Sequence, residues 1–196
     1  LKEKIIWLEL APESALNISE LAEAFKVSRT PIKEALIYLQ AQGWVLRQGS
    51  HFLVTPLSLD RIREITEIRM NLEVQGNIWA MQRITPREME KLKDLKNQIM
   101  ALEDDADNRK MIELDFNFHR IIFQATRNNQ LAEILERQLS QYFRFWLSIP
   151  RQINRKQFFA EFMELLEAFQ NKDENAVRRC TENHIRNSVA EIMGSR

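Results

Sequence analysis

Apolar residues recur at helical steps of three and four along most of the chain, and the period changes only between about residues 44 and 56. Leu21, Ala22, Phe25, Val27, Ile32, Ala35, Leu36 and Leu39 fall at spacings that bury one face of each of two short helices. Asn17, followed three residues on by Glu20, is the capping-box pattern that opens the first helix, which is expected to run to about Phe25. Val27 then enters a three-residue turn. Ser28 or Thr30 caps the second helix, and Pro31 lies near its first turn, where a missing N–H is tolerated. Small Ala22 and Ala35 suit the close crossing of a helix-turn-helix. After Gly43 the period falls to two, so that residues 44–47 and 51–55 read as strands around a turn at 48–50. A helix-turn-helix followed by such a hairpin predicts a winged helix.

From Ser58 onward the helical period returns, and the breaks predict six helices at about 58–82, 86–103, 107–126, 129–148, 153–170 and 173–193. Thr85-Pro86-Arg87-Glu88 supplies an N-cap, a proline at N1 and a glutamate at N3. Asn128-Asn129, Pro150 and Asn171-Lys172-Asp173 mark later boundaries. Connections this short lay successive helices side by side, as in an antiparallel bundle. The expected fold is therefore mainly α: a winged helix-turn-helix with a small β-hairpin over residues 1–56, then an antiparallel six-helix bundle over 57–196. Pro56-Leu57-Ser58 is the joint between them.

Composition narrows the class. The 196 residues carry 28 basic and 28 acidic side chains, for a formal net charge of zero. Residues 1–59 are balanced too, with six Lys and Arg against six Glu, so any DNA-binding signal there is local and not a basic field. The one cysteine, Cys180, cannot close a disulfide within the chain, and no apolar run reaches the length of a membrane span or signal segment. A cytoplasmic protein with no membrane association is expected. The chain starts at Leu1 without Met and its first helix opens abruptly, which predicts that a short natural N-terminus precedes it.

The candidate chemistry falls in both halves. Ser28, Arg29, Thr30, Lys33 and Glu34 lie at the outward N-terminal end of the second helix, where hydroxyls and an arginine can reach phosphates and base edges. In the bundle, Ile62, Ile65, Arg69, Leu72, Gly76 and Trp79 share a stripe, which buries Arg69. A buried guanidinium needs an anion, either an internal carboxylate or the acid group of a ligand. Asp115 and His119 stand at i and i+4 on a largely apolar helix. That spacing suits either a divalent metal or a mutually bonded core pair. His184 lies on a stripe with Val177, Cys180 and Ser188, so it could face the same cavity. Phe158, Phe159, Phe162, Leu165, Leu166 and Phe169 make the helix at 153–170 strongly aromatic, with Glu161 and Glu164 expected to point elsewhere. Three metal ligands with an open position also describe hydrolytic zinc centres. No phosphate loop, nucleophile motif or spaced general base accompanies them, so an enzyme is not expected.

The segment VSRTPIKEAL, followed by LQAQGWV and a hairpin ending FLVTP, resembles the winged helix-turn-helix of the GntR family of bacterial transcription regulators. That resemblance implies DNA contacts from Ser28, Arg29, Thr30 and Lys33, and from the wing tip at Gly49 to His51. Lys33 stands where arginine is usual and His51 where glycine is usual. Farther on, EIRMNLE (67–73), ELDFNFHRIIFQATRNNQL (113–131) and DENAVRRCTENHI (173–185) resemble the FCD effector domain of the FadR subfamily. There an Asp and three His commonly hold a metal beside a small carboxylate effector. Asp115, His119 and His184 match three of those positions and Phe162 stands at the fourth. This implies either a weaker site for zinc, nickel or manganese or a metal-free pocket. It also implies a homodimeric repressor that reads a palindromic operator in double-stranded DNA and senses a small effector, whose acid group the buried Arg69 would anchor. The alternative is a DNA-binding dimer whose bundle only dimerises.

Overall fold

The structure is a computed structural model that describes residues 1–103, 107–150 and 153–194. The chain forms two compact units, Leu1–Ser58 and Leu59–Arg196. It is mainly helical, with one small antiparallel sheet in the first unit.

The first unit runs α1 (Lys2–Ile6), β1 (Ala15–Leu16), α2 (Ile18–Phe25), α3 (Arg29–Ala41), β2 (Val45–Gln48) and β3 (His51–Val54). The Asn17 side chain opens α2 by accepting from the Ser19 N–H at 2.9 Å and the Glu20 N–H at 3.4 Å, while its amide donates to Glu20 Oε1 at 3.0 Å. Left-handed Lys26, at φ 54°, ends it. Ser28 holds the N-cap position of α3, but neither of the two expected hydroxyls supplies the capping bond there. Ile5, Leu36, Trp44 and Val54 are completely buried and form the core with Leu16, Leu21, Ile32 and Phe52. Phe25 and Val27 correct the expected stripe, being 38% and 46% exposed. The reason is local: α2 ends at Phe25 and the backbone reverses at Lys26, so helical phase no longer aims either side chain at the core.

The hairpin closes more tightly than expected. Gln48 pairs with His51, which leaves a two-residue turn at Gly49 and Ser50, with Gly49 at φ +60°. On its far side β3 also pairs with β1, Ala15 opposite Leu53 and Leu16 opposite Phe52, so the wing belongs to a three-stranded sheet of order β1-β3-β2. Two residues are too few to show an alternating pattern, and β1 could not be read from the sequence.

The second unit comprises α4 (Leu59–Arg83), α5 (Pro86–Met100), α6 (Asn108–Ala125), α7 (Asn129–Leu147), α8 (Arg155–Phe158), α9 (Ala160–Asn171) and α10 (Glu174–Ile192). Its final two residues lie outside the described set. The helix expected at 153–170 is two helices, so the described residues hold seven in this unit instead of six. The break falls at Phe159, at φ −102° and ψ 5°, where the Phe158 and Phe159 rings are both buried and pack edge-on at 4.9 Å. Burying both adjacent rings turns the chain, a tertiary cause that no Gly or Pro announces.

Helix α4 is the centre of this unit and packs against α6, α7 and α10. At Gly76 an added Cβ would lie 3.4 Å from both Leu131 and Leu135, so the missing side chain sets how closely α7 approaches. Asn77 Nδ2 donates to Thr181 Oγ1 at 3.0 Å, tying α4 to α10, and Tyr142 shares a 3.0 Å hydrogen bond with Ser188 between α7 and α10. Among the described residues no helix is long and apolar enough to cross a membrane.

Candidate effector site and DNA-reading surface

Ser28, Arg29, Thr30 and Lys33 are all exposed along the first turns of α3. The unsatisfied N–H groups of that end favour an anion such as a phosphate. Gly49 and His51 are exposed at the wing tip, and a side chain at Gly49 would meet open space. Arg47, which sequence reasoning did not single out, braces the tip: its Nε donates to the Gly49 carbonyl at 3.1 Å and its guanidinium lies over the Phe52 ring.

The second unit encloses a cluster of ionisable groups between α4, α6, α9 and α10. Arg69 is 1% exposed and bonds Glu73 one turn later, Nε to Oε2 at 2.7 Å and Nη2 to Oε1 at 3.3 Å. Its guanidinium also lies 4.7 Å from the centre of the Tyr142 ring. Burial alone would raise the proton affinity of the Glu73 carboxyl, but Arg69, its principal partner, together with the neighbouring His119 and His184, outweighs it and holds that group at about 2. Burial pushes the Tyr142 phenol up to about 12, so it remains a neutral donor. Of the two partners the sequence left open for Arg69, the structure supplies an internal carboxylate, and Arg69 still lines the cleft beside Asp115 and His184.

His119 sits between carboxylates. Its Nδ1 is 3.4 Å from Glu73 Oε1 and its Nε2 is 3.7 Å from Asp115 Oδ1. Both ring nitrogens are buried, and neither has a hydrogen-bond partner among the described residues. Burial lowers the pKa of His119 against the pull of Asp115 and Glu73, which keeps the imidazole in the neutral form that ligates metals. His184 reaches in from α10 with its ring centre 5.3 Å from that of His119. Donor atoms of Glu73, His119 and His184 all lie within 4.8 Å of one another. Asp115 is outside that group but lines the same cavity and makes no side-chain hydrogen bond among the described residues. The position of Phe162 is taken up by packing: its ring meets Phe118 at 3.9 Å and forms one wall beside His119 and His184.

Glu161 corrects the expectation that it points away. Its Oε2 is 3.9 Å from His184 Nδ1, its Oε1 accepts from Asn187 at 2.6 Å, and it lines the cavity. Burial opposes its ionisation, yet the neighbouring His184 imidazole and the hydrogen bond from Asn187 lower its pKa. Glu164 does lie elsewhere, near Cys180 Sγ at 3.9 Å. Glu73 was missed as well, although its i+4 spacing from Arg69 was a usable signal. These donors meet the first test of a divalent metal site: a buried neutral imidazole without hydrogen bonds, a second imidazole in reach, and more carboxylates than Arg69 can neutralise.

Residues 64–187 match the FCD domain, and residues 1–51 match the gntR family of bacterial regulatory proteins. The chain is 23% identical over 197 residues to the HTH-type transcriptional regulator McbR of Escherichia coli K12, covering 98% of this chain and 86% of that protein. It is 26% identical over 192 residues to the HTH-type transcriptional repressor RspR of the same strain, covering 94% and 82%. The solved structure of E. coli McbR/YncC superposes with a TM-score of 0.86 at 22% identity, over 99% of this chain and 93% of that one, which shows a shared fold. With its FCD match extending over most of the chain, this protein belongs to the FCD-domain branch of the GntR family of bacterial transcription regulators.

Proposed function

We infer that the protein is a homodimeric repressor that reads a palindromic operator through Ser28, Arg29, Thr30, Lys33 and the wing residues Gly49 and His51, and that its helical unit binds a small carboxylic acid beside a divalent metal. The observation that carries the sensing half is His119, whose two buried ring nitrogens find no hydrogen-bond partner among the described residues while carboxylates stand on either side. Leaving such a group unmet costs about 1–3 kcal/mol, and a metal ion satisfies it. Asp115, His119 and His184 would hold the ion, with zinc, nickel and manganese all suited to such a donor set. The ion would supply a Lewis-acidic point for the effector's carboxylate, and Arg69 would contribute positive charge nearby. The repressor role is supported by the likeness to RspR, which is named as a repressor.

Ligand binding changes DNA affinity only by favouring one arrangement of the dimer over another. The direct experiment is a melting-temperature screen of small organic acids, with and without added zinc, nickel or manganese. A stabilising acid whose effect requires metal is the expected result. A shift that ignores metal would recast the site as an Arg69-centred pocket, and no shift with any acid or ion would leave the bundle as a dimerisation element.

A further inference from the structure

We propose that Glu73 is itself a metal ligand in this protein, forming with His119 and His184 a two-histidine, one-carboxylate set in which Glu73, and not Asp115, supplies the carboxylate. The inference rests on the metal reading above and changes which carboxylate is primary. Three observations carry it. The donor atoms of Glu73, His119 and His184 are mutually within 4.8 Å, a group that does not include Asp115. Bonds of about 2.0–2.2 Å bring a metal's donors to roughly 3–4 Å of one another, so small side-chain rotations would close it.

The two oxygens of Glu73 are also unequal. Oε2 is held by Arg69 Nε at 2.7 Å, whereas Oε1 has only the longer 3.3 Å contact to Arg69 and stands 3.4 Å from His119 Nδ1. One oxygen is thus held closely by the guanidinium, and the other, bonded to it at the longer distance, faces the imidazole. Third, the Phe162 ring occupies one wall of the cavity, leaving the Glu73 side as a source of a hard donor. Such a set leaves coordination positions open, where the acid of an effector can bind within reach of Arg69. Arg69 then has a second role, because it limits the charge that Glu73 lends to the ion.

The test uses the full chain and cobalt(II) as the probe, reading stoichiometry, affinity and the visible absorption bands of the bound ion. Glu73→Gln keeps the side chain's shape but leaves Arg69 buried without its anion, so the double variant Arg69→Met with Glu73→Gln is measured beside it. Wild-type protein is expected to take one cobalt per chain, and both variants to bind it at least about tenfold more weakly, with displaced bands. A Glu73 that only orients His119 would weaken binding but leave the bands in place, and that result overturns the proposal while the Asp115, His119 and His184 reading stands. Wild-type protein that takes up no cobalt overturns both.

Discussion

Phe162 stands at the fourth position of the expected donor set, and its ring packs on Phe118 inside the cavity wall. Phe162→His should return a donor to that wall. Divalent-metal affinity measured by calorimetry is expected to tighten by about tenfold, equivalent to about 1.4 kcal/mol; unchanged affinity would count against a metal beside that position. Arg69 and Glu73 show what was legible at this scale. Their i,i+4 spacing is written in the sequence, but the sequence left both an internal and an external anion open, and the geometry of α4 joins the two side chains. Glu161 was misplaced because residues 153–170 read as one helix. The break at Phe159 gives α9 its own phase, which turns Glu161 toward His184.

Helix α3 carries the DNA-reading prediction. Its N-terminal turn presents Arg29 outward while Ile32, Leu36 and Leu39 anchor the opposite face in the core. Arg29→Ala should therefore leave the melting temperature nearly unchanged while weakening operator binding by about 1–3 kcal/mol if the arginine pairs with a base. Equal loss on operator and random DNA would instead assign Arg29 to a phosphate. Elements with strong local signals emerged near their expected bounds, as α2 did behind its Asn17 cap and α5 behind the Thr85–Glu88 capping box. Strand β1 did not, because its two residues become a strand only by pairing with β3.

For the whole molecule, a two-fold dimer on a palindrome must meet both half-sites on one face of the duplex, about 34–36 Å apart. Inserting about half a helical turn, roughly 5 base pairs, between the half-sites is expected to abolish tight binding in a gel-shift assay, whereas a full turn restores part of it. A monomer reading one half-site would be indifferent to either insertion. The sequence by itself determined the order of the elements, the winged helix, the helical second unit and the family, because caps, turns and periodicity act over a few neighbouring residues. Tertiary structure decided which charges meet. Glu73, His119, Glu161 and His184 come from four helices, α4, α6, α9 and α10, and the packing of α4 on α6 and α10, with α9 on α10, sets their distances. The chain's pattern could place each of them on a helix, but the rotation of one helix against another depends on how buried rings and small residues such as Gly76 fit, and that information is distributed over the whole core.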